Sequence, residues 1–130
     1  MDPTDRVRYW LDLADYDLDT AQAMLETRRY LYVGFMCHQT IEKALKGYHA
    51  SNSEDEAPYT HSLRRLAELS GLRDALSEQQ MTLVFRLEPL NISARYPADR
   101  EKLLADLTQA KCAAFVAETK EFLLWIKQKL

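Results

Sequence analysis

Apolar residues at the start of the chain recur at the spacing of a buried helix face. Successive members are four, three, four, three and four positions apart: Val7, Leu11, Ala14, Leu18, Ala21 and Leu25. Because residues three and four apart share one side of a helix, this spacing predicts a helix that begins at Pro3 and ends at about Thr27. Asp2 is the residue type that caps such a helix, and proline suits its first turn.

A second helical pattern follows after a short connection. It predicts a helix from about Leu31 to Ala50, with four residues toward the core: Phe35, Ile41, Leu45 and Tyr48. So short a connection makes the first two helices antiparallel neighbours. Residues 51–58 are polar and acidic without periodicity, which predicts a surface loop.

A short third helix is predicted in the middle of the chain. Thr60 is placed to cap a helix that runs from His61 to about Ser70, and Gly71 is placed to end it. The leucines expected toward the core are Leu63, Leu66 and Leu69.

A capping box marks the start of the fourth predicted helix. Ser77 and Gln80 have the spacing of that motif, so a helix is expected from about Glu78 to Leu87. Pro89 ends it, because the residue before a proline avoids helical geometry. One long last helix is predicted from about Asp99 to Lys129. Its expected apolar row is Leu103, Leu107, Ala110, Ala114, Ala117 and Leu124.

These elements predict an all-α fold, an up-and-down helical bundle of about five helices, three long and two short. The chain has 130 residues, of which 47% are hydrophobic and 28% charged, enough to bury one core. Residues 1–130 are therefore expected to form a single domain. Three glycines leave little room for the tight turns of an all-β fold.

Charge, termini and cysteines limit the class of protein further. A net charge of −3 argues against nonspecific nucleic-acid binding. The first residues do not resemble a secretory signal, and no apolar run approaches the roughly 20 residues that span a bilayer. We therefore expect a cytoplasmic protein without membrane contact. Cys37 and Cys112 are expected to be buried thiols rather than a disulfide or metal site.

The residue types of common metal and catalytic sites are not spaced for those uses. His38 and His49 share a helix face but lie about 16 Å apart along it, too far to bind one ion. The glycines, at positions 34, 47 and 71, are too scattered for a phosphate-binding loop, and there is no Gly-x-Ser-x-Gly motif. We therefore expect no metal site and no cofactor, and we assign no catalytic residue.

Three polar clusters remain as candidates for binding. The first is the stripe of His38, Glu42 and Lys46, which stand one turn apart on the second helix. Its local pattern favours a surface salt bridge worth a few tenths of a kcal/mol. The alternative is that the stripe forms one wall of a polar pocket.

The other two clusters lie beside predicted helix starts. Tyr59-Thr60-His61 precedes the third helix, and its plain interpretation is a capping segment with a partly buried aromatic and a satisfied histidine. Arg95 and Tyr96 lie in an irregular segment before the last helix, where arginine suits phosphate binding. The alternative there is an anchor that connects two helices.

The three clusters, in their order along the chain and on these helices, resemble those of the HEPN domain family of prokaryotic helical-bundle proteins. The matching elements are Ala14-x-x-Asp17-Leu18-x-x-Ala21, His38-Gln39 with Glu42-Lys43-Ala44-Leu45-Lys46, Thr60-His61-Ser62-Leu63, and Ala94-Arg95-Tyr96-Pro97. They cover almost the whole chain. The resemblance implies a bundle that commonly homodimerises and is associated with nucleotide or RNA binding. It also implies a minimal nucleotidyltransferase as partner and a role as the toxin half of a toxin–antitoxin pair.

Some proteins of that family are metal-independent ribonucleases, with an arginine followed after four to six residues by a histidine. This sequence departs from that pattern. Eight residues separate Arg29 from His38, and no histidine follows Arg95. The resemblance therefore favours binding over catalysis, with a ribonuclease toxin using His61 or His38 as general base as the alternative.

From the resemblance we expect a polar recess that holds a nucleotide phosphate or an RNA backbone. Its predicted nucleotide-binding residues are Lys43, Lys46, His61, Arg95 and Tyr96, the last by base stacking. The predicted supporting residues are Asp17, His38 and Glu42. A third alternative is purely structural: the charged residues form a buried network that fixes helix register, and function resides in a dimer or partner surface.

Overall fold

Six α-helices form the bundle in the computed structural model, which describes residues 1–92 and 96–130. Their bounds are Pro3–Glu26 (α1), Tyr30–Asn52 (α2), Leu63–Leu69 (α3), Glu78–Leu87 (α4), Pro97–Asp106 (α5) and Gln109–Gln128 (α6). Two 3-10 turns, Arg73–Ala75 and Glu88–Leu90, lie on either side of α4. No strand occurs in these two ranges, and the predicted all-α bundle is confirmed.

The central helix of the bundle is α2. It packs along α1 and α6 and also contacts α3, α4 and α5. Its fully buried apolar residues lie on one side of the helix, and they are Val33, Cys37, Ile41, Ala44 and Leu45. Buried polar residues extend the covered surface beyond that side. Of the four residues predicted toward the core, Ile41 and Leu45 are fully buried, whereas Phe35 and Tyr48 are half-buried. Because neighbours surround α2, even its polar stripe is enclosed.

The contact between α1 and α2 depends on a glycine. A Cβ atom at Gly47 would lie 3.3 Å from the Cβ of Trp10 and 3.3 Å from a methyl group of Leu11. The absent side chain therefore allows α1 to approach closely. This approach brings the Trp10 ring next to Lys46, whose Nζ lies 5.4 Å from the ring centroid.

Local signals set the starts of α1 and α4 as predicted. The Asp5 N–H donates to the Asp2 carboxylate at 2.8 Å and caps α1. The Ser77–Gln80 capping box opens α4 with both of its hydrogen bonds present. Each motif satisfies backbone N–H groups that the first helical turn leaves unpaired.

The third helix is shorter than predicted. Its cap is Ser62, not Thr60, so it begins at Leu63 rather than His61. Gly71 follows it with a φ of 82°, the left-handed conformation that ends a helix. Leu69 is 44% exposed, so its predicted place in the core is wrong. The buried side of this helix is formed by Leu63, Leu66 and Ala67, and Leu69 lies outside it.

The predicted long last helix is wrong in two respects. The chain leaves helical geometry at Leu107, and Thr108 begins α6 by accepting a hydrogen bond from the Lys111 N–H. The buried row of α6 is Cys112, Phe115, Val116, Thr119, Phe122, Leu123 and Ile126. The predicted residues Ala110, Ala114, Ala117 and Leu124 are exposed. An apolar row extended from α5 across the break at Leu107 falls on the wrong face of α6, because the break changes the rotational position of the residues that follow.

The two cysteines are free, buried thiols as predicted. Burial raises the pKa of the Cys37 thiol to about 12 and also raises the pKa of Cys112. Both thiols are therefore protonated at neutral pH and unreactive. None of the helices in the described ranges is long and apolar enough to cross a lipid bilayer.

The register of α6 is tested by two neighbouring leucines, Leu123 at 2% exposure and Leu124 at 48%. Leu123→Ala leaves a cavity in the core, so we expect it to lower the free energy of unfolding by about 2–5 kcal/mol. Leu124→Ala is the matched control and should cost less than about 1 kcal/mol. Urea unfolding followed by circular dichroism measures both; equal losses would contradict the register of α6.

Candidate functional site

A buried carboxylate, that of Glu42, lies at the centre of a polar cluster between α1, α2 and the start of α3. Glu42 is 2% exposed. Its Oε2 accepts a hydrogen bond from Lys46 Nζ at 3.2 Å, and its Oε1 accepts one from His61 Nδ1 at 3.0 Å. The surface salt bridge favoured by the local sequence pattern is therefore wrong. Neighbouring helices cover this face of α2, which no spacing within α2 reveals.

Lys46 is enclosed by partners that match its charge. The residue is 7% exposed, and its ammonium binds Glu42 while it lies beside the Trp10 ring in a cation–π contact. To reach a ligand, Lys46 would have to leave a buried carboxylate unpaired, which is unfavourable. The structure therefore places Lys46 inside the cluster and not on an open surface.

A chain of hydrogen bonds leads from α1 to His38. Lys43 Nζ donates to Asp17 Oδ2 at 2.8 Å and to Gln39 Oε1 at 2.9 Å. With its oxygen so occupied, the Gln39 amide directs its nitrogen to His38 Nδ1 at 3.3 Å. The charge of Lys43 is thereby balanced by Asp17, and both side chains are largely buried.

His38 is fully buried behind this chain. Burial lowers the pKa of His38 below its ordinary value of 6.5, against the carboxylates of Glu42 and Glu88, which raise it. The imidazole is therefore neutral at neutral pH. A neutral, enclosed ring supports the cluster but is not accessible to a substrate.

His61 is the member of the cluster that faces solvent. Its side chain is 69% exposed, whereas that of Glu42 is 3% exposed. Since a carboxylate can only accept, Nδ1 of His61 carries the hydrogen, and Nε2 is the ring nitrogen left for a ligand. A buried carboxylate that orients an imidazole in this way is also found in hydrolases that use histidine as a base.

A groove opens beside His61, between the start of α3 and one side of α4. Its cavity volume is about 620 Å³, within the range of small-molecule sites. One wall of the groove is lined by His61, Ser62 and Arg64, and the other by Met81, Phe85 and Glu88.

Glu88 fixes the geometry of this groove. Its carboxylate accepts hydrogen bonds from the Ser62 hydroxyl at 2.9 Å and from the Leu63 N–H at 2.6 Å. One carboxylate from the end of α4 thus holds the first turn of α3. A second carboxylate, that of Glu42, holds His61 immediately before it.

The structure brings six of the eight predicted site residues into one cluster: Asp17, His38, Glu42, Lys43, Lys46 and His61. Tyr96 is 79% exposed at the start of α5. Arg95 falls within residues 93–95, outside the described ranges. The residues that sequence reasoning missed are Trp10, Arg64, Phe85 and Glu88. Only tertiary packing joins them to the site, so no local pattern points to them.

No metal centre is formed by the described residues. Nowhere in the two ranges do three or more histidine, cysteine, aspartate or glutamate residues come close enough together to hold an ion.

Comparison with known proteins gives two matches for this fold. The family model of the HEPN domain matches residues 7–129. The crystal structure of TT1696 from Thermus thermophilus superposes with a TM-score of 0.78 at 25% sequence identity, covering 96% of this chain and 98% of that chain. No curated protein matches this chain.

The burial of the cluster is tested by Glu42→Gln, which leaves the Lys46 ammonium buried without a counter-charge. We expect the free energy of unfolding to fall by about 3–5 kcal/mol. The matched control is Asp15→Asn in the half-exposed pair with Lys127, where the loss should stay near or below about 1 kcal/mol. Urea unfolding of both variants at neutral pH provides the comparison. Similar small losses would mean that water reaches Glu42.

Proposed function

Since this chain belongs to the HEPN domain family, we propose that it is a nucleotide- or RNA-binding module whose ligand lies in the groove beside His61. The observation that carries this proposal is the exposed imidazole of His61, held at Nδ1 by a buried carboxylate. A side chain anchored on one side and open on the other is preorganised to meet a ligand, because less of its orientational freedom is lost on binding.

In this proposal the cations of the cluster have two different roles. Lys43 and Lys46 are paired with Asp17 and Glu42 and largely buried, so their role is to hold the cluster in place and not to contact the ligand. Contact with the phosphate is left to His61, and Tyr96 offers an exposed ring for a base. Among the described residues this division follows from burial, which separates paired from open groups. Arg95 keeps the phosphate-binding role that the family resemblance implies.

We extend the proposal to the partners that the family resemblance implies. They are a second copy in a homodimer and a minimal nucleotidyltransferase, with this chain as the toxin half of the pair in the cytoplasm. The support for these partners is membership of the HEPN family alone.

Isothermal titration calorimetry with AMP, ATP and a short RNA tests the proposed binding site. We expect His61→Ala to weaken binding about tenfold or more, because a hydrogen bond to a charged group contributes about 1.5–3 kcal/mol. The control is Arg8→Ala, which removes a cation from a separate cavity on α1. The proposal fails if no ligand binds saturably, or if His61→Ala and Arg8→Ala bind equally well.

A second candidate function, that of a metal-independent ribonuclease, is favoured by the hydrogen-bonded pair of His61 and Glu42. With Nδ1 bound to Glu42, Nε2 of His61 can take the proton of a ribose 2′-hydroxyl. That oxygen then attacks the adjacent phosphorus, and the bond to the 5′-oxygen of the next nucleotide breaks. The products are a 2′,3′-cyclic phosphate and a 5′-hydroxyl end once a proton reaches the leaving oxygen.

Prolonged incubation of pure protein with end-labelled RNA in EDTA separates the two candidates. We expect the RNA to remain intact, because the arginine–histidine spacing of the ribonucleases is absent. Cleavage to cyclic-phosphate ends that His61→Ala abolishes would replace the binding module with the ribonuclease. Cleavage that persists in His61→Ala would indicate a contaminating nuclease.

A further inference from the structure

A phenylalanine on α4 is left out of the core. Phe85 is 79% exposed, whereas its neighbours Leu83, Val84 and Leu87 are each 3% exposed or less. The core side of α4 is therefore complete without Phe85. A large apolar ring exposed to water gains free energy when it is covered, so Phe85 is a candidate for contact with a ligand.

The ring of Phe85 lies on the wall of the groove beside His61. Met81, one turn earlier on the same side of α4, is 37% exposed and lines the groove as well. No other aromatic ring of the described chain contacts Phe85; the ring pairs found there are Tyr9–Trp10 and Phe122–Trp125. Since Phe85 is 79% exposed, its ring is accessible for stacking.

The opposite wall of the groove carries an unpaired cation. Arg64 is exposed and forms no ion pair in the described chain, whereas its neighbour Arg65 lies 3.9 Å from Glu68. The carboxylate of Glu88, on the other wall, accepts hydrogen bonds from the Ser62 hydroxyl and the Leu63 N–H, which fix its position. Arg64 offers a positive charge that lies across the groove from the Phe85 ring.

We propose that Phe85 is a stacking surface for an unpaired nucleobase and that Arg64 binds the phosphate of the same nucleotide unit. The proposal deepens the proposed function, on which it rests, by naming how the groove distinguishes its ligand. A nucleotide unit has a flat apolar base and an anionic phosphate, and the two walls match these in kind. A base within a duplex is already stacked on both faces and cannot use Phe85.

Fluorescence anisotropy with a labelled oligouridylate of eight nucleotides, free and paired with oligoadenylate, tests the stacking surface. Phe85→Leu keeps an apolar side chain but removes the ring, and we expect it to weaken single-strand binding about five- to a hundredfold. Phe85→Tyr keeps the ring and should bind like wild type. The duplex should bind more weakly than the single strand. A surface that recognises only phosphate charge would bind the duplex more tightly than the single strand, because the duplex has more phosphates.

Arg64→Gln and Arg65→Gln form a matched pair for the phosphate contact. We expect Arg64→Gln to weaken binding and to lower the slope of log affinity against log salt by about one, with Arg65→Gln close to wild type. Competition by AMP distinguishes the source of the nucleotide unit. Displacement of the RNA identifies a free nucleotide as a sufficient ligand, and failure to displace it identifies the RNA strand.

The exposed Tyr16 of α1, at 73% exposure, supplies the control for loss of an aromatic ring. If wild type binds but Phe85→Leu binds no more weakly than Tyr16→Leu, this inference alone is overturned. If wild type binds neither RNA nor AMP, the proposed function fails and this inference fails with it. Sedimentation of each variant tests whether a second copy of the chain, and not a nucleotide, occupies this surface. A dimer that Phe85→Leu converts to monomer would assign the ring to a second copy of the chain and overturn the stacking role.

Discussion

The pairing of one buried carboxylate with a lysine and a histidine organises this bundle. Glu42 is enclosed by α1, α2 and α3, where an unpaired charge is strongly unfavourable. Its partners are therefore obligatory: Lys46 from its own helix and His61 from the start of α3. Trp10 closes the far side over Lys46. Glu42 thus joins α2 to the segment before α3, and Lys46 extends the contact to Trp10 of α1, which leaves one face of His61 exposed.

The parts of the fold that were predictable from sequence are those set by local interactions. Asp2 and the Ser77–Gln80 box cap their helices with side chains only three residues away. The break at Thr108 has a local cap as well, yet the apolar pattern continues past it in a plausible row. Only packing against α2 decides that Leu123, and not Leu124, is the inner residue.

In the candidate site, too, the features set by local spacing were predictable from sequence and those set by packing were not. The spacing of His38, Glu42 and Lys46 places them on one stripe, and the family resemblance adds His61. Burial of that stripe was not predictable, because it depends on the close approach of α1 at Gly47 and on the position of α3. Phe85 and Arg64 meet across a groove between two helices whose relative placement has no signature in either segment.

The shortness of α3 has a consequence for how this protein folds. Seven residues form fewer than two full turns, and such a segment has negligible helicity by itself. Its cap and first residue are held by Glu88, which is distant along the chain, and Glu42 on α2 holds His61 just before the cap. The groove therefore cannot form from α3 alone. It comes into existence only when the bundle closes, so that a ligand selects the completed fold and stabilises it by mass action.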